Sequence, residues 1–388
     1  MGRRLLRDKF SSSCRASEEG RGTMKKIMLC GVTAVWLLIA GTGCQSAALL
    51  PPEGSEAPSA GKRAQADRAY GDLLVADDHR VFSVDSKAQR AQEVLHTEQP
   101  ISSVCYTKDH AVVTVFEPDN PNGFRGLYVH DNNKDGYDQV ATPAMAPRLS
   151  YVNGDLAFLA SAEVTPQPDG DYTKVGIYQL KQRQWVKEWM MPGGVEDVRG
   201  SGNTVWIVTS NNASTSSNVS KLDLATGQWD KLIQQPRRYP LDEAEVDTNG
   251  ELYLMISQRH KNEWSNKIFR FNPQQNPYEL TGNFVSNTRP YSFAIRALNG
   301  KMLIARHDAT GSNPELEKPL SLLDLKSRKQ VHLAWDHQPV ALERTESEFV
   351  ALAEDGALAF IGTEATEKPD RTVVIEGLEA GRWISVKR

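Results

Sequence analysis

Short apolar runs that end in Asp, Asn or a turn residue recur along the chain from about residue 70 onward. Their starts form a series: VFSVD from Val81, LYVHD from Leu127, IYQLK from Ile177, VSKLD from Val219, IFRFN from Ile268, LSLLD from Leu320 and LAFIG from Leu358. A β-like run precedes each of them and another follows, and turns such as Asn153-Gly154 mark a further strand upstream. No stretch shows the 3.6-residue apolar period of an amphipathic helix. The pattern therefore predicts an all-β chain.

The series is a repeat with a regular period. Successive starts lie 46, 50, 42, 49, 52 and 38 residues apart. Four short strands per unit, repeated seven times, are typical of a β-propeller, in which each small sheet buries its faces against its neighbours. We label the strands of a blade a to d from the axis outward. We predict seven four-stranded blades, with six or eight as the alternatives.

The two ends of the repeat complement each other. The first unit supplies only strands b, c and d, as DLLVAD, HRVFSVD and AQEVLH, and a lone β-like run, GRWISVK, follows the last complete unit. We therefore predict that this C-terminal strand completes the N-terminal blade. Such closure removes the exposed sheet edges that an open stack would leave.

On this periodicity and these turns, residues 70–388 resemble bacterial seven-bladed propellers of the quinoprotein-like or surface-layer type. The resemblance is architectural, because regular WD dipeptides, kelch double glycines, sialidase Asp boxes and the tryptophan docking motifs of quinoproteins are absent. It implies a propeller fold and no particular activity, since a fold alone does not assign a function.

The N-terminal region carries a processing signal. Lys25-Lys26 precedes fourteen uncharged residues, Ile27 to Ala40, and the run GTGC ends at Cys44. This arrangement resembles a bacterial lipoprotein signal, which implies that residues 24–43 are removed and that Cys44 is lipidated, although Gly41 stands where such signals prefer an aliphatic residue. The alternatives are a plain secretory signal and an uncleaved anchor, but fourteen residues fall short of the roughly 20 that span a bilayer.

The segments on either side of this signal carry no fold. Residues 1–23 fit no targeting scheme, so we take Met24 as the initiator and residues 1–23 as an untranslated upstream extension. Residues 44–69 are the lipidated Cys and a flexible tether rich in Ala, Pro, Ser and Gly. Gln45 after the lipidated Cys resembles the outer-membrane sorting pattern of Gram-negative lipoproteins. The predicted location is therefore the cell envelope, on the outer membrane if the source is Gram-negative.

Processing changes the charge and the cysteine count. The whole chain has a formal net charge of −4, and removal of residues 1–43 leaves 37 Lys and Arg against 46 Asp and Glu, a net charge of −9. This balance argues against nucleic acid as a partner, because phosphate recognition needs a basic surface. Cys105 is the only cysteine left besides Cys44, so no internal disulfide forms. Its alternating context, ISSVCY, favours an inert buried thiol over a nucleophile.

A candidate binding surface lies on one face of the ring. The predicted b–c loops are long in five consecutive blades, at residues 117–125, 162–174, 210–218, 258–267 and 307–319. These loops and their d–a neighbours carry a cluster of Arg, aromatic and His residues, namely Arg125, Arg148, Arg237, Arg238, Tyr239, Arg259, Trp264, Arg289, Tyr291, Arg306 and His307. Guanidinium groups suit carboxylates and aromatic faces suit sugar rings, so an envelope protein or an anionic glycan is the predicted partner.

A second motif suggests a structural calcium site. The run DNNKDGYD resembles the opening of a calcium loop, with oxygen donors from Asp131, Asn133, Asp135, the Tyr137 carbonyl and Asp138. Gln139 and Thr142 stand where the motif usually has acidic residues. The alternative is a polar c–d hairpin turn, which favours the same residue types for backbone reasons. Apart from this possible Ca²⁺, we predict no cofactor.

Catalysis has weaker support. The chain lacks GxSxG, P-loop and zinc-ligand spacings. Acidic residues gather on the innermost strand of the fifth blade, at Asp242, Glu243, Glu245 and Asp247, where carboxylates would face the axial channel. We therefore predict a lipid-anchored, non-catalytic binding or scaffold propeller of the cell envelope. The alternative is a propeller hydrolase or lyase that acts on an envelope or extracellular polysaccharide.

Overall fold

The computed structural model describes residues 70–388, except 121, 133, 212–215, 237–240, 261–262, 272–280, 286–290, 308–317 and 379. For some strand residues beside these gaps it describes only the backbone. The predicted signal, Cys44 and the tether lie outside the described residues, as does Asn133 of the candidate calcium loop.

Twenty-eight strands form seven four-stranded antiparallel sheets, which are the blades of a β-propeller. Blade 1 contains β1 (Leu73–Ala76), β2 (Arg80–Asp85), β3 (Arg90–His96) and β28 (Trp383–Val386). Blade 2 contains β4 (Ile101–Tyr106), β5 (His110–Val115), β6 (Gly126–Asp131) and β7 (Asp138–Ala141). Blade 3 contains β8 (Pro147–Asn153), β9 (Leu156–Gln167), β10 (Gly170–Gln179) and β11 (Gln184–Pro192). The prediction of seven four-stranded blades is confirmed.

The remaining four blades repeat this order. Blade 4 contains β12 (Gly194–Ser201), β13 (Thr204–Asn211), β14 (Ser216–Asp223) and β15 (Trp229–Pro236). Blade 5 contains β16 (Leu241–Val246), β17 (Leu252–His260), β18 (Glu263–Phe271) and β19 (Thr281–Val285). Blade 6 contains β20 (Tyr291–Leu298), β21 (Lys301–His307), β22 (Leu320–Asp324) and β23 (Gln330–Leu333). Blade 7 contains β24 (Pro339–Arg344), β25 (Glu348–Ala353), β26 (Ala357–Gly362) and β27 (Arg371–Val374).

The C-terminal strand closes the ring, as predicted. β28 pairs with β1 in a register that runs from Leu73 opposite Val386 to Ala76 opposite Trp383. The backbone N–H of Tyr106 donates to Ser385 Oγ at 2.9 Å, which joins this strand to blade 2. Because β28 is the innermost strand of blade 1, the blade is completed from the axis side.

The hydrophobic core lies between the blades. Leu74 of blade 1, for example, packs in one cluster with Val104 and Val113 of blade 2, and all three are buried. Similar clusters fill the interfaces around the ring, and burial of this apolar surface is the main force that holds the blades together. Within the described residues, no helix is long and apolar enough to cross a bilayer.

The inner strands of blades 2 to 7 share one irregularity. Each breaks register with its b strand just after its start, as between Val195 and Asp197 in blade 4 or between Leu241 and Glu243 in blade 5. A bulge of this kind bends a strand and re-aims its side chains. The shared bulge sets the inner strands in the same phase, so their residues can be aligned from blade to blade.

The long b–c connections differ from the predicted loops in three blades. Residues 162–174, 210–218 and 258–267 fall largely within strands, because β9–β10, β13–β14 and β17–β18 continue as long hairpins. The strands β9 and β10 have 12 and 10 residues, whereas β1 and β2 of blade 1 have 4 and 6. We call these three hairpins the arms. In β9 the outer residues 163–167 are exposed and lack apolar alternation, so the sequence pattern suggested a loop there.

Candidate functional site

Four consecutive inner strands carry a charged residue at the same aligned position. In each strand, pairing resumes at one residue after the bulge, and the charged residue is the second one beyond it. These residues are Arg199 of β12, Glu245 of β16, Arg296 of β20 and Glu343 of β24. Their charges alternate in sign around the axis. Neighbouring inner strands therefore present opposite charges to each other, which favours ion pairs between blades.

Arg296 is the centre of this network. Its Nη1 lies 2.7 Å from Glu243 Oε1 and 3.9 Å from Glu245 Oε2, and its Nη2 lies 3.7 Å from Glu343 Oε1. The Arg296 side chain is only 7% exposed. A buried guanidinium needs such partners, because the cost of removing it from water is large. Arg199 Nη2 also lies 2.7 Å from Glu243 Oε1, so one carboxylate joins blades 4, 5 and 6.

The carboxylates also bind backbone groups of the next blade. Asp197 Oδ2 accepts from Ala244 N at 3.0 Å, Glu243 Oε2 accepts from Ile295 N at 3.1 Å and Glu245 Oε1 accepts from Ala297 N at 3.2 Å. The inner strand of each blade is a sheet edge, so the backbone N–H groups on its axis side have no neighbouring strand to pair with. The carboxylates satisfy several of these N–H groups and link each inner strand to the next.

Two further arginines complete the network. Arg388, just beyond β28, places Nη2 2.9 Å from Glu343 Oε2. Arg344 of β24 places Nε 3.4 Å from Glu245 Oε1 and donates from Nη2 to the Val246 carbonyl at 3.2 Å. Arg344 thus reaches from blade 7 to blade 5 across the axial channel. The network as a whole contains four Arg and four acidic side chains.

The pKa values follow from burial and from these partners. Burial alone would raise the pKa of Glu343, but the guanidinium groups of Arg388, Arg296 and Arg199 lower it to about 2. Burial outweighs the attraction of arginines at Asp197 and Glu245, so the pKa of each is raised. The carboxylate of Glu343 raises the pKa of Arg388.

Small polar side chains line the axis in blades 1 to 3. The Cys105 thiol donates to the Ser150 carbonyl at 3.2 Å, and Ser103 Oγ lies 2.8 Å from Ser150 Oγ. Burial raises the pKa of the Cys105 thiol. A thiol held in the neutral form is a poor nucleophile, which fits an inert role for this cysteine.

The acidic residues that the sequence places on β16 are mostly engaged in structural contacts. Glu243 and Glu245 belong to the axial network, and Asp247 Oδ1 accepts from Asn249 N and Glu251 N at 2.8 Å each in the following turn. The Asp242 side chain lies outside the described residues. The three described carboxylates therefore have partners within the fold.

The structure describes the side chains of three members of the predicted Arg and aromatic cluster. Arg125 lies 2.7 Å from Glu163 on the blade 3 arm, Arg148 donates to the Val195 carbonyl of blade 4, and Arg306 Nη1 lies 2.8 Å from His332 Nδ1 within blade 6. These side chains do not converge on one point. The remaining side chains lie outside the described residues, namely Arg237, Arg238, Tyr239, Arg259, Trp264, Arg289, Tyr291 and His307.

Backbone pairing still relates four of those residues. Arg259 is opposite Trp264 on the blade 5 arm, and Tyr291 is opposite His307 on blade 6. Each pair joins a basic residue to an aromatic residue across two strands. The sequence spacing could not reveal these pairs, because the strands were read as loops at these positions.

The candidate calcium loop is the c–d connection of blade 2, as its turn residues suggested. Asp138 forms an ion pair with Arg183 of blade 3, and Asp131 lies 3.8 Å from Lys134 Nζ. The Tyr137 ring packs against His130, whose Nδ1 lies 2.7 Å from the Gly136 carbonyl. Among the described residues, no three His, Cys, Asp or Glu side chains form a cluster that could hold a metal. Calcium stays a prediction here, which chelator-dependent melting would test.

Asp138 and Arg183 also line a shallow groove at the outer rim, between blades 2 and 3. The groove has a volume of about 540 Å³ and is lined further by Gln139, Val140, Ala141, Tyr178 and Trp185. It lies at the opposite end of the sheets from the axis, so it is separate from the ion-pair network.

Several members of the axial network escaped the sequence reasoning. Arg199, Arg296, Glu343, Arg344 and Arg388 are missing from the predicted sites. The alternation of charge at aligned positions of successive inner strands would have found Arg199, Arg296 and Glu343, whereas Arg344 and Arg388 lie outside that position. A single charged residue in a short strand carries no such information, because it is more often on a solvated face.

Solved structures share this fold at low sequence identity. A functionally unknown protein from Desulfotomaculum acetoxidans DSM 771 is 12% identical over 82% of this chain and 99% of its own, with a TM-score of 0.57. Kuenenia stuttgartiensis hydrazine synthase is 13% identical over 69% of this chain and 78% of that chain, with a TM-score of 0.51. Pyrococcus horikoshii acylaminoacyl peptidase is 11% identical over 79% of this chain and 51% of its own, with a TM-score of 0.50.

These similarities define the class of protein and nothing narrower. No family model and no curated protein matches the sequence. At such low identities the likeness shows the fold alone, because one fold serves many unrelated functions. The chain is therefore a seven-bladed β-propeller, and its function has to be argued from its own residues.

Proposed function

We propose that this protein is a lipid-anchored, non-catalytic binding protein of the cell envelope that holds a partner protein against the arms of blades 3, 4 and 5. The observation that carries the proposal is the extension of these three neighbouring hairpins, set against the short equivalents in blades 1 and 7. Long segments that project from one face of a rigid scaffold are where binding commonly occurs. The three arms belong to consecutive blades, which favours a partner held off the axis.

The surface of blade 3 supports a protein partner. Among the described residues, four large apolar side chains are exposed, and three of them, Val164, Val186 and Met190, lie on blade 3. Val164 belongs to the arm itself. Exposed apolar groups that form a patch rimmed by polar residues mark protein interaction sites. An anionic glycan is the alternative partner, but the three described arginines of the predicted cluster are engaged within the fold.

The axial network supports binding over hydrolysis. A propeller hydrolase or lyase would need a carboxyl group that reaches substrate with a free proton or lone pair. Glu243 and Glu245 instead accept from arginines and from backbone N–H groups of blade 6. Their part in joining the blades accounts for their presence on the inner strand.

The envelope location rests on the sequence of the leader. The resemblance of the segment before Cys44 to a lipoprotein signal implies a diacylglyceryl anchor, and residues 45–69 would then connect the anchor to the propeller. A tether of this composition lets the binding face sample many orientations near the membrane.

Site-directed photo-crosslinking in cells that produce the full chain tests the binding face. A crosslinking residue at Val164 on the arm should give an adduct of defined mass with a partner protein. The same residue at Val374, which is 65% exposed on the outer strand of blade 7, should give none. Absence of an adduct at Val164, or the same adducts at both positions, would contradict the proposed face.

The anchor has its own test. Metabolic labelling with a fatty-acid analogue should mark the wild-type protein, and Cys44→Ser should lose both the label and the association with membranes. A Cys44→Ser protein that stays membrane-bound would show that another segment holds it there.

A further inference from the structure

The axial network exposes three of its four arginines and hides its carboxylates. The carboxylate side chains of Asp197, Glu243, Glu245 and Glu343 are 11%, 8%, 5% and 9% exposed. The side chains of Arg199, Arg344 and Arg388 are 25%, 25% and 46% exposed. Although the four acids and four arginines balance in number, the side chains of the network that solvent reaches are mainly those of arginines.

The carboxylate oxygens have little capacity left for a ligand. Glu243 Oε1 accepts from both Arg199 and Arg296, and its Oε2 accepts from Ile295 N. The arginines differ, since each guanidinium has five N–H donors. Arg388 uses one of them on Glu343, and Arg344 directs Nε and Nη2 at Glu245 and Val246. Arg199 uses one donor of each nitrogen, on the Ala244 carbonyl, the Val198 carbonyl and Glu243. Arginine donors, and not carboxylate oxygens, are therefore left for a bound molecule.

The exposed arginines are linked through one buried guanidinium, that of Arg296. Arg296 shares Glu243 with Arg199, Glu245 with Arg344 and Glu343 with Arg388. Arg199, Arg344 and Arg388 are therefore each connected to the buried Arg296 guanidinium through one shared carboxylate. On the inner strands of blades 1 to 3, short polar side chains include Ser103, Ser150 and Ser385. The longer Arg148 and Tyr151 side chains of blade 3 donate to the Val195 and Gly202 carbonyls of blade 4.

We propose that the axial channel binds a small oxyanion, a phosphate or a carboxylate compound, on the guanidinium groups of Arg199, Arg344 and Arg388. Guanidinium forks match the paired oxygens of both groups, and a partly enclosed channel strengthens such charged hydrogen bonds relative to water. The site is distinct from the arms. Its existence does not depend on the proposed protein partner, and the crosslinking result at Val164 does not bear on it.

Calorimetry and thermal melting of the purified protein test the site, with inorganic phosphate and citrate as probes and chloride at matched ionic strength as the reference. We expect at least one probe to bind and to raise the melting temperature beyond the chloride reference. Arg388→Gln should weaken that binding roughly tenfold, as expected for loss of one charged hydrogen-bonding group. The affinity of Arg388→Lys should lie between those of wild type and Arg388→Gln, because lysine keeps the charge but lacks the forked donors of the guanidinium.

Arg371→Gln is the matched control. This variant also removes one guanidinium from an ion pair, but Arg371 pairs with Glu348 on blade 7, away from the axial network. The affinity of the Arg371→Gln protein for the probe should therefore equal the wild-type value. If Arg388→Gln fails to fold, Arg344→Gln serves in its place with the same expectation. Binding of phosphate alone or citrate alone would support the site and identify the chemistry. The proposal would be overturned if neither probe raised the melting temperature beyond the chloride reference, or if the arginine variants bound the probe as tightly as wild type. Either result would mean an adventitious ion only.

Discussion

Arg344 and Val246 are joined across the axial channel, although a whole blade lies between theirs in the ring. Arg344 Nη2 of blade 7 donates to the carbonyl oxygen of Val246 in blade 5 at 3.2 Å, while its Nε lies 3.4 Å from Glu245. The carboxylate-to-backbone bonds of Asp197, Glu243 and Glu245 connect neighbouring blades. Arg344 thus couples blades that do not share an interface.

Removal of this cross-channel contact should lower stability. Arg344→Met keeps most of the apolar stem, and we expect the free energy of unfolding to fall by about 1–3 kcal/mol because the Val246 carbonyl and Glu245 each lose a partner. Urea unfolding at neutral pH measures the change. Lys368→Met, an exposed Lys on the β26–β27 connection, should change stability by less than about 0.5 kcal/mol. Equal losses in the two variants would contradict the role of Arg344.

The depressed pKa of Glu343 predicts part of the acid sensitivity. Because this pKa falls from its usual 4.5 to about 2 in the folded chain, the carboxylate stabilises the fold above about pH 4.5 and loses that effect as the pH falls toward 2. Glu343→Gln should cost about 3 kcal/mol at pH 7. The difference from wild type should shrink as the pH is lowered through this window.

Denaturant unfolding at pH 7 and pH 3 tests this difference. Glu364→Gln, whose side chain is 86% exposed, is the control and should match wild type at both pH values. Asp197 and Glu245 act in the opposite direction, since their raised pKa values make their protonation favour the folded chain on acidification. The Glu343 charge is one cause of the raised pKa of Glu245, so the measured difference for Glu343→Gln includes this coupling. A loss in Glu343→Gln that is the same at both pH values would contradict the assignment.

Gly200 should be intolerant of a side chain. A Cβ there would lie 2.3 Å from Cζ of the Tyr151 ring, and that ring is held by a 2.9 Å hydrogen bond from its hydroxyl to the Gly202 carbonyl. We expect Gly200→Ala to cost about 1–3 kcal/mol through this overlap. Gly194→Ala is a control on the same strand, since its Cβ would be 3.5 Å from the nearest atom. Melting temperatures that fall equally in both would show that the overlap is relieved by movement.

The closing strand should be separable and replaceable. Deletion of residues 381–388 would leave β1 as an unpaired inner edge of blade 1, and we expect the melting temperature to fall sharply or the chain to aggregate. A synthetic peptide of residues 381–388 should restore part of the loss, because the pairing of β28 with β1 is a short antiparallel ladder. A shuffled peptide is the control. An unchanged melting temperature after deletion would show that closure contributes little.

The propeller architecture could be predicted from the sequence because each strand buries one or both faces, and this burial determines where its apolar residues lie. The apolar runs at Val81, Leu127 and their successors are all c strands, and the lone C-terminal run is the missing inner strand. The arms were harder to recognise. The residues around Val164 are exposed on a hairpin that extends beyond the blade, so packing imposes no alternation on them.

The candidate site was predicted only in part. Glu243 and Glu245 were noticed as acids on an inner strand, but their partners Arg199, Arg296 and Arg344 lie on other blades, about 45 to 100 residues away in the chain. The contacts depend on the shared bulge, which sets the inner strands of blades 2 to 7 in one phase. That alignment becomes visible only when blades are superposed on one another.

The pairing of β28 with β1 also imposes an order on how the molecule is made. Tyr106 and Ser385, which meet at the closure, are 279 residues apart in sequence. Until the residues of β28 have left the ribosome, and have crossed the membrane if the chain is exported, blade 1 has only three strands and the core between blades 1 and 7 is incomplete. The nearly finished chain therefore passes through a stage in which most blades exist but the ring is open, and aggregation or protection by a chaperone would be decided at that stage.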